Sequence, residues 1–205
     1  MSSPAEDIPV AGTVVLLRPG AAGFEVLLMR RPERGSFAGA WVFPGGKVEQ
    51  SDRRPGADES DDAARAAMRE TVEEVGVVVS DVVVLSRWEP PREAPVRIRT
   101  WFFLALAPDA DQELSLSEGE VEAAEWLTPA DALARHGRGE WMLFPPTWIT
   151  LDRLSRFETA AAALAAAGVA QLFATTVTRS AEGVAFEWDS LRLETGSLPW
   201  RLVGD

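Results

Sequence analysis

The chain has 205 residues, a length that suits one well-packed domain with a small extension. Its 32 acidic and 20 basic residues give a net charge of -12, which argues against nucleic acid or an anionic membrane surface as its main partner. It has no cysteine, so disulfides and thiolate metal sites are excluded. Because the N-terminus lacks a signal-peptide pattern and no run of about 18 apolar residues occurs, we expect a soluble, cytoplasmic protein.

The first third of the chain predicts strands followed by a glycine-rich turn and a loop. Two β-branched runs, VAGTVVLLRPG and FEVLLMRRP, predict two strands joined by a tight turn after Pro19. Next, GAWVFPGG ends in Pro44-Gly45-Gly46, a sequence that lets the backbone turn sharply and approach a ligand closely. The polar stretch from Lys47 to Ser60 offers nothing to bury and predicts an exposed loop.

A helix is predicted from Ser60 to Gly76, because apolar residues recur there at helical spacing. Ser60 is the expected N-cap and Gly76 the expected end of the helix. Three glutamates, Glu70, Glu73 and Glu74, fall within an arc of about 100° on this helix and so share one face.

The remaining chain predicts more strands and several helices. VVVSDVVVLSRW, VRIRTWFFLALAP and EVEAAEWL predict strands, and the proline-rich EPPREAP predicts a surface loop. TPADALARHG predicts a short helix capped by Thr128, residues 145–168 predict mostly helix, and FATTVTRS with VAFEWDSL predicts a hairpin. The alanine-rich segment from Thr159 to Ala170 predicts a packing helix, and its small side chains would also suit a homodimer interface.

Like charges on one helix face repel, so the three glutamates need something to offset the cost. Solvation is one explanation, together with an ion pair between Arg69 and Glu73 at i,i+4. A hard divalent cation is the other, since Mg²⁺ prefers carboxylate oxygens and is often held beside a substrate phosphate.

Gly45-Gly46 followed by RETVEEVG at 69–76 resembles the Nudix box, G-x5-E-x7-R-E-U-x-E-E-x-G-U, where U is a bulky aliphatic residue. The second half of the pattern matches except at Thr71, which takes an aliphatic position. Counting back from Arg69 places Asp61 at the first glutamate of the box. Since 14 residues then separate Gly46 from Asp61 instead of five, the box of about 46–77 carries an insertion, which we place at 49–60.

A second resemblance points to a branch of that family. VLLMRRPERGSFAGAWVFPGG is similar to the stretch that precedes the box in coenzyme A diphosphatases, which runs L-L-x-x-R through a glycine to F-P-G-G. The long insert, TWFFLA and FPPTWITLDRL look like the same branch, while Arg99 stands where that branch would have an acidic residue.

The resemblance implies hydrolysis of a pyrophosphate bridge in a nucleoside diphosphate linked to another moiety, with coenzyme A or acyl-coenzyme A as the favoured substrate. ADP-ribose or another nucleotide sugar or dinucleotide is the alternative, and a binding module without catalysis is a further one. The implied cofactor is Mg²⁺ or Mn²⁺. The implied ligands are Glu70, Glu73, Glu74 and the carbonyl of Gly46.

Further site residues follow from the resemblance and from their places in the chain. Arg69 and Glu73 are candidate catalytic residues, with Arg69 orienting the glutamates. Glu120, preferred over Glu118, is the candidate general base. The candidate substrate-binding residues are Arg34, the aromatic pair Trp41 and Phe43 for stacking on a base, and the strand pair Arg97 and Arg99 for a phosphate.

The expected fold is α+β, a Nudix-type α/β/α sandwich with a mixed sheet. We expect a catalytic domain at residues 1–140. Residues 141–205 are expected to form a helical and hairpin extension packed on that domain.

Overall fold

The structure is a computed structural model that describes residues 8–35, 37–94, 96–108, 112–181 and 183–204. Pro95 of the predicted proline-rich loop and Glu182 of the predicted hairpin turn lie outside these ranges. The helices within them are α1 Glu59–Val75, α2 Pro129–Gly137, α3 Pro145–Leu154 and α4 Ala160–Ala166. The strands are β1 Val10–Gly20, β2 Gly23–Arg30, β3 Trp41–Val42, β4 Gly45–Lys47, β5 Val83–Glu89, β6 Arg99–Leu106, β7 Ala123–Leu127, β8 Gln171–Ala174, β9 Thr176–Ser180, β10 Gly183–Trp188, β11 Leu191–Glu194 and β12 Arg201–Val203.

The first eight strands form one mixed sheet. β1 is its central strand, antiparallel to β2 and β4 and parallel to β6. β5 continues the sheet antiparallel to β6 and is followed by β8, which runs parallel to it. The expected mixed sheet is confirmed, and it includes a strand from the C-terminal extension.

Apolar side chains of β1 alternate between two cores, because successive residues of a strand point to opposite faces. Val14 and Leu16 lie in a cluster with residues of α1, whereas Val15 and Leu17 lie in a cluster with residues of α3. The sheet is therefore covered by helices on both faces, as expected for an α/β/α sandwich.

Helix α1 begins two residues earlier than predicted, with Asp58 rather than Ser60 in the N-cap position, and it ends at Gly76 in the left-handed conformation. It lies very close to the sheet, since a Cβ at Gly12 of β1 would overlap the carbonyl oxygen of Ala63. Thr71, the exception to the aliphatic pattern, is buried, and its hydroxyl donates to the Ala67 carbonyl at 2.7 Å. This bond satisfies the hydroxyl group that threonine has and an aliphatic side chain lacks.

Residues 141–205 contribute α3, α4 and a second sheet in the order β12-β11-β10-β9. The predicted helical region of 145–168 is divided into α3 and α4, and the predicted hairpin is formed by β9 and β10. Thr128 caps α2 as predicted, accepting a hydrogen bond from the Asp131 amide. None of the helices in the described ranges has the length and apolar character needed to cross a membrane.

Candidate active site

Two glutamates of α1 flank the glycine pair that follows Pro44. A Cβ on Gly46 would overlap the carboxylate of Glu70, so this position accepts the glutamate because it has no side chain. The backbone N–H of Gly45 donates to Glu74 Oε2 at 2.9 Å. β4 pairs with β1 here, in a register that places Gly46 opposite Gly12, where α1 approaches closest. Gly46 thus lies against Glu70, and its role as a metal ligand stays a prediction.

Glu74 is buried, with 2% of its surface exposed. Its other oxygen, Oε1, accepts a hydrogen bond from Arg31 Nη1 at 2.7 Å. Burial raises the pKa of Glu74 to about 7, although Gly45 and Arg31 act in the opposite direction, and the charges of Glu70 and Glu120 add to the increase. Arg31 was not among the predicted site residues, and its place as the arginine of the L-L-x-x-R stretch was the signal that could have indicated it.

Arg69 connects the glutamates of α1 to the loop before the helix. Its Nη1 lies 2.9 Å from Glu70 Oε1 and 2.9 Å from Glu73 Oε2, so the expected i,i+4 ion pair is present. Its Nη2 donates to the Lys47 carbonyl at 3.2 Å. Burial raises the pKa of Glu70, which Arg69 partly counteracts and the neighbouring Glu73 increases further.

The acid that precedes α1 in the motif is Asp52 and not Asp61. Arg69 donates to both oxygens of Asp52, Nε to Oδ1 at 3.1 Å and Nη2 to Oδ2 at 2.9 Å. Asp52 is 4% exposed, whereas Asp61 is an exposed residue of the first helical turn. Burial alone would raise the pKa of Asp52, but the hydrogen bonds from Arg69 and the Glu49 amide lower it overall.

This corrects the predicted position of the insertion. Asp52 stands where the family pattern has its acid when residues are counted forward from Gly46, five residues intervening, so the extra residues follow Asp52 instead of preceding it. The prediction that 47–60 is solvated throughout was wrong at Asp52, because an ion pair to Arg69 allows a carboxylate to be buried. Counting forward from Gly46 as well as back from Arg69 would have indicated Asp52 in the sequence.

Glu120 lies on a loop that is bound to the C-terminal end of α1. The loop is attached by the Ser117 amide, which donates to the Glu74 carbonyl at 2.9 Å. Glu120 is exposed, accepts a hydrogen bond from the Ser117 hydroxyl, and contributes to the raised pKa values of Glu70 and Glu74. Arg34 Nη2 donates to the Gly119 carbonyl at 3.1 Å. The candidate base and one candidate substrate-binding residue are thus on the same side of the molecule as the glutamates.

The predicted metal ligands fit a divalent cation in their chemistry but not fully in their arrangement. Carboxylate oxygens are the donors that Mg²⁺ and Mn²⁺ prefer, and Glu70 lies against the Gly46 backbone. Across the described ranges, however, no group of three or more His, Cys, Asp or Glu side chains is arranged to hold a metal ion. Since Glu73 is paired with Arg69 and Glu74 with Arg31, the predicted convergence of three carboxylates is absent in this structure.

Two predicted stacking residues belong to the core. Trp41 is 6% exposed and stacks on Trp141, with ring centroids 3.8 Å apart, and Phe43 is 3% exposed and packs edge-on against Phe102. Because their rings are covered by protein, the prediction that they stack on a base was wrong. Aromatic residues beside a glycine-rich turn had suggested a ligand, but burial assigns them to packing.

The two strand arginines do not form the predicted phosphate site. Arg99 pairs with Glu59 and Glu89, both at 2.7 Å, and so links the start of α1 to β5. Arg97 precedes β6, so the two do not project from one strand, and it has interactions of its own within the protein. Arg99 therefore has a structural role. The spacing of two residues between Arg97 and Arg99 could not distinguish that role from phosphate binding.

Comparison with known proteins supports the family resemblance. The family model described as NUDIX domain matches residues 8–145, more than half of the chain. A NUDIX hydrolase from Alicyclobacillus acidocaldarius has a similar crystal structure, with a TM-score of 0.71 and 27% identity, covering 80% of this chain and 97% of that one. The expected α+β fold of this family is confirmed.

Two curated relatives match shorter parts of the chain. An RNA pyrophosphohydrolase of Dinoroseobacter shibae is 32% identical over 110 residues, 46% of this chain and 63% of the relative. The NAD-capped RNA hydrolase NudC of Mycobacterium tuberculosis is 39% identical over 75 residues, 36% of this chain and 22% of the relative. The chain thus spans less than two thirds of the length of the curated relatives it matches.

Proposed function

Because the chain belongs to the NUDIX domain family, we propose that it hydrolyses the pyrophosphate bridge of a nucleoside diphosphate linked to another moiety, using Mg²⁺ or Mn²⁺. The observation that carries this proposal is the contact of two glutamates of α1 with the glycine backbone, Glu70 against Gly46 and Glu74 with the N–H of Gly45. Carboxylates beside an accessible glycine backbone suit a diphosphate, because its oxygens need both a cation and close backbone contact.

In this proposal the metal would be held by Glu70, Glu73 and Glu74, with the Gly46 carbonyl completing the set. When bound, the cation would neutralise phosphate charge and make a bound water more acidic. In this structure Arg69 pairs with Glu70 and Glu73, and Arg31 pairs with Glu74, so the three carboxylates are oriented by arginines and do not converge. A cation that joined them would therefore replace part of these ion pairs.

Glu120 is the group we propose as general base. It is exposed, so it can reach a water beside a bound substrate, and its charge acts on both Glu70 and Glu74. A base must lie within hydrogen-bond reach of the water that it deprotonates. Arg34, which holds the loop of Glu120 through the Gly119 carbonyl, would position that base and contribute to substrate binding.

Coenzyme A or acyl-coenzyme A is the substrate that we favour. The stretch from Leu27 to Gly46 resembles the region before the box in coenzyme A diphosphatases. The pairing of Arg31 with Glu74 links that stretch directly to the glutamate face. ADP-ribose and other nucleotide sugars or dinucleotides share the same bridge and are the alternative substrates.

A second candidate is hydrolysis at the 5′ end of an RNA, which the names of the two curated relatives suggest. The net charge of -12 disfavours contact with a long polyanion, so this activity would be confined to the terminal nucleotides.

We further propose that residues 1–140 form the catalytic domain and residues 141–205 its extension. We also propose a cytoplasmic location and a homodimer assembled through the alanine-rich α4.

A substrate panel with mass detection of products tests the proposal. Coenzyme A, ADP-ribose, NADH, a dinucleoside polyphosphate and a short NAD-capped RNA are each incubated with Mg²⁺, with Mn²⁺ and with chelator. We expect metal-dependent cleavage between the two phosphorus atoms, fastest for coenzyme A. Binding of these compounds without any product would instead identify a binding module, and cleavage in chelator would overturn the metal requirement.

A further inference from the structure

A cleft lies on the face of the main sheet opposite α1, between α3 and β12. Its volume is about 550 Å³, within the range of sites that bind small molecules. We call the site formed by six of its lining residues the arginine cleft: Trp148, Asp152, Arg153, Arg156, Trp200 and Arg201. Trp148 belongs to the core cluster on the α3 side, which places the cleft away from Glu70 and Glu74.

The arginine cleft gathers three guanidinium groups around one carboxylate. Asp152 pairs with Arg156 at 2.7 Å, which accounts for one of the three positive charges. Neither Arg153 nor Arg201 has a hydrogen bond or ion pair from its side chain in the part of the chain that the structure describes. The charge of Asp152 also acts on Arg153, and Glu194 lies opposite Arg201 in the pairing of β11 with β12. The cleft is nevertheless lined by three arginines and one carboxylate, an imbalance that is unusual in a protein with a net charge of -12 and that an anion would explain.

Arg153 is held in place before any ligand arrives. Its guanidinium lies over the ring of Phe173, with the Cζ atom 4.8 Å from the ring centroid. Burial lowers the pKa of Arg153 and the nearby charge of Arg156 lowers it further, while the charge of Asp152 acts in the opposite direction. Because the protein keeps this cation close to another cation and partly out of water, an anion bound between them would relieve both costs.

The cleft also has an aromatic wall. Trp200 lines it and is itself fixed by contacts with His136, at 4.5 Å between ring centroids, and with Trp148, at 6.3 Å. An indole beside guanidinium groups offers a flat apolar surface next to a site for charge. The combination suits a small anion that carries an organic group.

We propose that the arginine cleft is a binding site for the phosphate group of a phosphate monoester, which Arg153, Arg156 and Arg201 contact while Trp200 covers the organic part. Arginine forks match the geometry of phosphate oxygens, and among the described residues the side chains of Arg153 and Arg201 form no ion pair that a phosphate would have to displace. This site is separate from the glutamate face and does not depend on pyrophosphate hydrolysis.

The test follows the indole N–H signal of Trp200 by NMR, assigned with Trp200→Phe, in metal-free full-length protein. The probes are adenosine monophosphate, inorganic phosphate and adenosine. We expect saturable shifts with the monophosphate, with a dissociation constant below about 1 mM, and none with adenosine. Weaker binding of inorganic phosphate would identify the monoester as the ligand, and equal binding would assign the site to the phosphate group alone; both support a phosphate site.

Matched variants locate the binding. Arg201→Gln, on the exposed strand β12, should weaken binding at least about tenfold, and Arg153→Gln should do the same if its melting temperature shows that it folds. Arg179→Gln, an exposed arginine of the same small sheet outside the cleft, should bind like the unaltered protein. Equal weakening by Arg179→Gln, or no saturable shift up to about 10 mM monophosphate, would overturn the proposal.

Discussion

The two faces of the main sheet carry charge in opposite ways. On the α1 face, Glu70, Glu73 and Glu74 are repelled by one another, yet each is paired with Arg69 or Arg31. In the arginine cleft on the other face, Asp152 pairs with Arg156 and its charge also acts on Arg153. The contrast is one of balance: each glutamate of the α1 face has an arginine partner, whereas the cleft is lined by three arginines and one carboxylate.

The largest effect that we expect comes from Glu70→Gln on the glutamate face. This change removes a ligand charge without altering side-chain shape, so turnover of the preferred substrate should fall by about a hundredfold or more. Steady-state kinetics measures the loss of turnover, and a thermal melt checks that the variant is still folded. Glu158→Gln, an exposed glutamate beyond α3, is the matched control and should keep the rate. A Glu70→Gln rate within about threefold of the unaltered protein would contradict the proposed ligand set.

The pH dependence of the free energy of unfolding tests whether burial raises the pKa of Glu74. Burial raises its pKa to about 7 from an ordinary 4.5, so the folded protein holds this proton more tightly than the unfolded chain does. The free energy of unfolding of metal-free protein should therefore fall as pH rises from about 4.5 to about 7, by an amount on the order of 3 kcal/mol. Below that window, where the group is protonated in both states, Glu74 causes no pH dependence.

Urea unfolding of the protein and of Glu74→Gln at several pH values measures this contribution. The variant has no titrating group at position 74, so the difference between the two curves should follow the window above. A constant difference from pH 4.5 to pH 7 would show that Glu74 titrates normally. Glu158→Gln again serves as control, because its exposed carboxylate should leave the pH dependence unchanged.

The role of Asp52 predicts a smaller loss of stability. Asp52→Asn replaces a buried charge partner of Arg69 with a neutral amide, which should lower the free energy of unfolding by about 2 kcal/mol. Asp61→Asn changes an exposed acid and should stay within about 0.5 kcal/mol of the unaltered protein. Chemical denaturation compares the two. Similar effects would mean that Asp52 is not the acid that holds Arg69.

The smallest effect is expected in the arginine cleft. Arg156→Gln removes an ion pair with Asp152, but the arginine side chain is 66% exposed, so the free energy of unfolding should change by less than about 0.5 kcal/mol. The same denaturation experiment measures it. A loss above about 1 kcal/mol would mean that this pair stabilises the fold, and the contrast between the two faces would be weaker than we describe.

Features that depend on neighbouring residues could be predicted from the sequence. Helix α1 ends at Gly76, Thr128 caps α2, and Arg69 contacts Glu73, as their spacing indicates. These three features follow from backbone periodicity and from side chains within one turn, so little information from the rest of the chain is needed. The mixed sheet and its two helical layers match what the family resemblance implied, since the order of elements alone allows several α+β arrangements.

Features that depend on distant partners could not be predicted in this way. Composition indicated that the loop of Asp52 is solvated, and the arginine that buries this acid lies 17 residues away. Trp41 was expected at a ligand, but Trp141, a hundred positions along the chain, covers its ring. Arg99 was expected at a phosphate, but Glu59 and Glu89 reach it from two other elements.

The sequence by itself determined the family motif, the helix that carries three glutamates, and the identity of their local partner Arg69. The tertiary structure decided which acid Arg69 buries, that Arg31 binds Glu74, and that three arginines meet opposite α1. The reason is physical. Helical geometry fixes the relation of residues three or four apart, whereas the burial of a charge depends on whether folding brings a partner to it.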